Sequence, residues 1–350
     1  MYQELEALFD GVYAPSHYPT LRDQREAWIH TRPFDGLKVL DVTPLCANSI
    51  YKYMNLIYGG ASLTLARTEL SSANEEMLSI IERAGIEVIT PECEAREFDI
   101  IMDCAAQFIH CVAKLGRVEL TRSGAELYAS RGGEAVYMAD GGRIKLIETT
   151  IGTGESLFRA LEAMGHSAWG RLMLLGCGKV GGGILREAVK RGIEVVVVSD
   201  ERELSEWCRE VSYKVIDYRD REAVEAEIDG CYLMVSATGQ VGSVERTVSV
   251  ERVSSSNILL ANMGADDEFG ESFARDRILA QGRSLNFTLD EPTQLRYIEA
   301  TLSLHNYGAE YLLENPQARG VVMPSYEIEQ RLLEITQREG EIGAEIGSIF

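Results

Sequence analysis

Short apolar runs of strand length alternate with stretches of helical periodicity along most of the chain. The first run is LKVLDV over residues 37–42, followed by a helical stretch from about residue 47 to 58, a Gly59-Gly60 stop and a second apolar run over 61–66. Strands that are apolar at nearly every position, separated by helices, predict a parallel sheet covered on both faces. Residues 72–84 read as the next helix, with Ser71 or Asn74 as its cap and Gly85 as its stop. Residues 86–90 and the run FDIIM at 98–102, which ends in Asp103, read as further strands. Between Gly116 and Gly154 the periodicity loosens into a polar, glycine-rich stretch that reads as a connecting and site-forming region.

From Glu155 the helical segment SLFRALEAMG leads into a second series of apolar runs at 171–175, 194–198, 213–216, 232–235 and 257–261. Residues 292–313 and 326 to about 342 read as helices that return to the first unit. The first run of the second series passes directly into Gly176-Cys177-Gly178-Lys179-Val180-Gly181, after which GGILREAVKRG has helical periodicity. A G-x-G-x-x-G segment is weak by itself, but here it occupies a strand-to-helix turn and the next strand ends in Asp200, nineteen residues after Gly181.

Each residue of that turn has a physical task. Gly176 permits the tight turn, Gly178 lets backbone N–H groups approach a pyrophosphate, and Gly181 lets the helix pack close to the strand. The helix N-terminus, with Lys179 and Val180 in its first turn, stabilises the anion. Asp200 is placed to accept from both adenine-ribose hydroxyls and to repel a 2′-phosphate, so NAD is favoured over NADP, with Arg202 the residue that could meet such a phosphate. Ala237-Thr238-Gly239 and Asn262 end the next two strands where a nicotinamide ribose would pass. The expected architecture is α/β, with two doubly wound parallel-sheet domains. Residues 1–150 form a substrate domain completed by helices in 290–350, and residues 151–289 form a Rossmann dinucleotide-binding domain.

Composition narrows the partners. The 350 residues suggest two domains at about 150 residues each. A formal net charge of −21 repels nucleic acid and anionic lipid. No apolar run of membrane-spanning length occurs and the N-terminus MYQELEALFD is acidic, so a cytoplasmic protein is expected. Seven cysteines lie widely spread without a C-x-x-C pair, which reads as reduced thiols with neither a disulfide framework nor a metal site.

The order of segments from Gly154-Glu155-Ser156-Leu157 through GCGKVGGG, VVVSD, SATG and ANMG resembles the S-adenosylhomocysteine hydrolase family. RPFDGLKVLDV upstream and Asn286 to Glu291-Pro292-Thr293 downstream extend the likeness to about residues 32–313. The resemblance implies tightly bound NAD that oxidises a ribose 3′-hydroxyl, acid–base groups around it, and a homo-oligomer, dimer or tetramer. It places Asp103 on the first residue of an Asp-Asp pair, Glu119, Thr121 and Ser123 on an acidic-then-threonine segment that serves the reacting ribose and the cofactor, Glu148 on a catalytic Asp and Thr149 on the Asn after it.

The catalytic pattern departs from that family. The Lys position falls on Ile144 with Lys145 one residue away, and the positions of three histidines fall near Pro44 and on Ala265 and Glu291. Proton-transfer groups of this kind contribute roughly 10²–10⁴-fold each. The sequence therefore favours an NAD-dependent oxidation of a secondary alcohol or amine carbon on a nucleoside-like or amino-acid-like molecule, with Asp103, Glu119, Lys145 and Glu148 as catalytic candidates. True hydrolase or lyase chemistry of the same type and a non-catalytic NAD-binding regulator are the alternatives.

Overall fold

The computed structural model describes residues 3–7, 11–73, 75–167, 170–347 and 349. The chain divides into two compact units, one made of residues 1–147 and 294–350, the other of residues 148–293. Among the described residues twelve strands carry the architecture: β1 (Lys38–Asp41), β2 (Ser62–Ala66), β3 (Glu87–Ile89), β4 (Glu97–Asp103), β5 (Val112–Glu119), β6 (Ala135–Met138), β7 (Leu172–Leu175), β8 (Val195–Val198), β9 (Lys214–Ile216), β10 (Leu233–Ser236), β11 (Leu259–Asn262) and β12 (Gly320–Val322).

In the first unit seven parallel strands run in the order β12-β6-β5-β4-β1-β2-β3. The long helix Leu295–Glu314 is buried along most of its length, and β12 pairs with β6, so the late part of the chain belongs to this sheet as well as to its helical layer. The stretch after Gly116, expected as a loose connector, contains the inner half of β5, the helix Arg122–Arg131 and β6. The reason lies in β5 itself, whose first half is exposed or half-buried and whose last four residues are buried, so polarity masks a strand that pairs with the neighbouring β4 on both sides of a register shift near its middle. The helix expected over 72–84 spans Glu75–Arg83, and Asn74, one of its two expected caps, lies outside the described residues.

In the second unit five parallel strands run in the order β11-β10-β7-β8-β9, an open doubly wound sheet whose strand order reverses between β7 and β10. Every residue of β7, β8 and β10 is buried, which accounts for sequences that are apolar throughout in β7 and β8 and in all but the final Ser236 of β10. The two helices on one face, Thr153–Ala163 and Lys179–Lys190, approach so closely that a Cβ on Gly154 would collide with the Gly183 backbone and a Cβ on Gly183 with the Thr150 carbonyl just before the first helix. Both sheets are α/β layers of the doubly wound class, as the periodicity predicts.

Candidate functional site

The turn between β7 and the helix Lys179–Lys190 fixes the geometry of the second unit's crevice. Gly176 has φ +85°, and a Cβ there would stand 2.6 Å from the Ala237 carbonyl oxygen, so the residue must be glycine for β7 and β10 to end side by side. A Cβ on Gly181 would meet the Gly176 carbonyl oxygen at 2.1 Å, which sets the close approach of the helix to the strand. Gly178 differs from both, since a Cβ there would meet nothing within 4 Å, and its backbone faces open space where a diphosphate can approach. The first amides of the helix, from Lys179 to Gly181, lack intrahelical acceptors by construction and supply the positive end of its dipole.

Beside this turn lies a cavity of about 600 Å³ bordered by Gly176, Gly178, Asp200, Arg219, Thr238 and Arg246. Its volume suits a nucleotide-sized ligand. Asp200 follows β8, and its carboxylate is gripped by two guanidiniums: Arg202 donates through Nε at 2.9 Å and Nη2 at 2.6 Å, and Arg219 donates through Nη2 to Oδ2. These donors hold the Asp200 carboxyl well below the usual carboxylate range. The Cys177 side chain faces Cys208 with the two sulfurs 3.6 Å apart, tying the turn to the helix Glu206–Val211.

Two of the expected cofactor residues have structural tasks. Asn262 is buried, and its amide donates to the Asp266 carbonyl at 2.8 Å and the Gly282 carbonyl at 2.9 Å while its oxygen accepts from Gly264 N–H at 3.0 Å. Thr238 donates through its backbone N–H at 2.8 Å and its hydroxyl at 2.9 Å to Glu268, which also accepts from Gly239 N–H at 2.6 Å and from the Ser236 hydroxyl. Glu268 is buried and fixes the loop after β10. Sequence reasoning missed it because Asp266-Asp267-Glu268 reads as an ordinary solvated acidic run. Ala237 is buried at the same strand end and Gly239 is exposed.

The acidic candidates of the first unit are placed quite differently. Asp103, at the end of β4, accepts from Cys104 N–H at 2.8 Å, Phe108 N–H at 3.1 Å and the Tyr128 hydroxyl. Glu119, at the end of β5, accepts from Ala105 N–H at 2.9 Å, Ala106 N–H at 3.1 Å, Thr121 N–H at 2.9 Å and the Thr121 hydroxyl at 2.7 Å. Ala105 and Ala106 both have positive φ, at 58° and 53°, a conformation costing on the order of 1–3 kcal/mol per residue outside glycine. The two carboxylates are the groups that hold this turn. Burial, followed by the nearby Asp103 charge, pushes the Glu119 carboxyl up to about 7, and burial raises Asp103 as well.

Asp103 and Glu119, both expected as acid–base groups, are thus also the acceptors that hold the shape of this loop. Thr121 is the N-cap of the helix Arg122–Arg131, its hydroxyl accepting from Gly124 N–H at 3.1 Å, and Ser123 is exposed in that helix's first turn. Lys145 is buried on the short helical turn Ile144–Leu146, in the electrostatic neighbourhood of His305. Glu148 and Thr149, half-buried, begin the second unit in a π-helical segment over Ile147–Gly152.

At the first unit's own strand-order reversal, between β1 and β4, stands a pair that the sequence did not single out. Lys52, fully buried on the helix Ile50–Tyr58, donates to Asp41 at the end of β1, and Asp41 also accepts from Thr43 N–H at 2.9 Å. Burial lowers the Lys52 pKa against the opposing pull of Asp41. His305 is buried in the helix Leu295–Glu314 with Nε2 3.1 Å from the Val118 carbonyl, and burial together with the Lys52 charge keeps its pKa well below the ordinary value. Lys52 went unnoticed because it sits among tyrosines and aliphatic residues in YKYMNLIY, where a single charge reads as the exposed edge of a helix.

Residues 171–229 match the family described as NADP oxidoreductase, coenzyme F420-dependent. Among solved structures, a dipicolinate synthase subunit from Bacillus halodurans is similar to this chain at 11% identity and a TM-score of 0.46, covering 81% of this chain and 99% of that one. No curated protein matches the chain. The second unit is an oxidoreductase-like, NAD(P)-binding fold. No helix among the described residues is long and apolar enough to cross a membrane.

Proposed function

We propose that the protein is an NAD-dependent enzyme of dehydrogenase type. The observation that carries this reading is the 600 Å³ cavity at the β7/β10 reversal, bordered by the unobstructed Gly178 backbone and ending at Asp200. The residues fit a dinucleotide: the first-turn amides receive the diphosphate, and the Asp200 carboxylate, kept ionised by Arg202 and Arg219, accepts from the adenine-ribose hydroxyls. When bound, the nicotinamide supplies a hydride acceptor. The substrate we assign is a secondary alcohol or amine of a nucleoside-like or amino-acid-like molecule. Lys145 Nζ or the Glu148 carboxylate takes the proton that leaves with the hydride. The chain is expected to act as a homo-oligomer.

Titration with NAD and NADP, followed by nicotinamide absorbance with adenosine, S-adenosylhomocysteine and simple secondary alcohols and amines, tests the proposal. NAD should bind, and Asp200→Ala should weaken it about tenfold to a hundredfold, the worth of hydrogen bonds to a charged group. Release of homocysteine would assign the hydrolase type of reaction. Absence of binding by either dinucleotide would overturn the reading. Tighter binding of NADP selects a second reading, which the paired guanidiniums of Arg202 and Arg219 favour, because a 2′-phosphate can take both from Asp200.

A further inference from the structure

At the opposite end of the first unit's sheet from Asp103 and Glu119, three soft or borderline ligands converge. Cys93 precedes β4 in a turn closed by its N–H on the Thr90 carbonyl at 3.0 Å, and Cys111 precedes β5 in a turn closed by its N–H on the Phe108 carbonyl at 3.0 Å. The ladder bond from Val112 N–H to the Arg96 carbonyl, at 2.8 Å, locks the two turns together at the edge where β4 and β5 begin. Cys93 Sγ lies 3.8 Å from His110 Nε2, and the ligand atoms of Cys93, His110 and Cys111 all lie within 4.8 Å of one another.

We propose that Cys93, His110 and Cys111 bind one divalent transition-metal ion of the zinc class, with a fourth position left to solvent. Metal–sulfur and metal–nitrogen bonds of about 2.3 and 2.0 Å at tetrahedral angles require S–N and S–S separations of roughly 3.5 and 3.8 Å. The cluster therefore needs shifts of about 1 Å or less to close on an ion.

The surroundings agree with this chemistry. Cys111 Sγ accepts a backbone hydrogen bond from Arg96 N–H at 3.5 Å, which orients the sulfur. His110 stacks on Phe108 with ring centroids 5.6 Å apart at 28°, which restricts its ring orientation. The Arg96 guanidinium, the nearby cation, is neutralised by two bonds to Glu87 at 2.8 and 2.7 Å, so two thiolates, a neutral imidazole and a divalent ion make a locally uncharged group. Cys111 is buried, Cys93 half-buried and His110 exposed, an order that leaves an entry path on the histidine side. Two thiolates and an imidazole select zinc-class ions over magnesium or calcium.

Cobalt(II) alone, added to the reduced full-length protein, provides the test, with zinc(II) competing against a chromophoric chelator as the second measurement. One equivalent should bind, with thiolate-to-cobalt charge-transfer absorption and the intense visible bands of a tetrahedral site. His110→Gln, a change at an exposed side chain that leaves the fold intact, should weaken zinc at least about tenfold. Cys93→Ser should remove most of the charge-transfer absorption. Cys208→Ser, on the separate thiol pair in the second unit, should change neither. Absence of the cobalt bands, their survival in both cluster variants, or a Cys93–Cys111 disulfide in freshly purified protein would overturn the proposal.

Discussion

The two units contain doubly wound parallel sheets, each with a point where strand order reverses, and the two reversals are furnished in opposite ways. In the second unit the reversal between β7 and β10 is built from glycines and leaves a cavity of about 600 Å³. In the first, the corresponding place between β1 and β4 holds the protein's own Lys52–Asp41 ion pair, beside a turn gripped by Asp103 and Glu119. Acidic residues end strands in both units. Asp200 meets the guanidiniums of two exposed arginines besides the Arg202 N–H at 3.1 Å, whereas Asp103 and Glu119 meet mainly backbone N–H groups of the turn they hold, joined by the Tyr128 and Thr121 hydroxyls. Acids at equivalent strand ends therefore have different surroundings, set by the donors each one meets.

The severest way to break this contrast is to disrupt the helix packing behind the open side. Gly183→Val places carbon against the Thr150 carbonyl, forcing the helices Thr153–Ala163 and Lys179–Lys190 apart. Soluble expression or nucleotide binding should be lost, and a variant that melts like the parent would show the contact to be dispensable. Emptying the filled side comes next. Lys52→Met leaves Asp41 buried without its cation and should cost about 3–5 kcal/mol in urea unfolding, with part recovered by adding Asp41→Asn.

A smaller effect separates acids that titrate from acids that do not. Burial raises the carboxyls of Glu119 and Glu299 to about 7. A raised folded-state value means that the protonated form is favoured by folding, so this stabilisation is complete below the unfolded value near 4.5 and is lost as pH rises through about 7. The free energy of unfolding in urea should accordingly fall between pH 5 and pH 8, by on the order of 1–3 kcal/mol per group. Glu299 supplies the cleaner variant. Its Oε2 accepts from Thr20 N–H at 3.0 Å, the Thr20 hydroxyl at 2.6 Å and Leu21 N–H at 3.2 Å, while Oε1 is buried without a hydrogen-bond partner among the described residues. Glu299→Gln keeps the accepting oxygen and removes the charge, so it should leave stability at pH 5 nearly unchanged and flatten the loss toward pH 8. An unaltered pH profile would mean that another group titrates.

Much of the α/β layering was legible because buried parallel strands leave unbroken apolar runs, as in VVVV of β8, and because glycines at an open nucleotide turn occur at fixed spacing. The losses have a common physical cause. β5 begins in VAKLG and was concealed by its solvated first half, and β12 is an edge strand of three mostly exposed residues. Glu268, Lys52 and the Cys93, His110 and Cys111 group acquire their meaning from partners on other elements, brought beside them by the folded sheet. Asp103 and Glu119 were visible as acids, but whether an acid faces a ligand or a loop is a property of the folded turn.

The pairing of β12 with β6 and the burial of the helix Leu295–Glu314 have a consequence for how the chain is made. Residues 148–293 interrupt the first unit and are fully synthesised before the segment that completes their host. During translation, at about 5–20 residues per second, the guest has its whole sheet available while β6 still awaits its outer neighbour. Synthesis thus makes the guest available before its host is complete, and leaves the β6 edge without its outer neighbour on the nascent chain until β12 emerges.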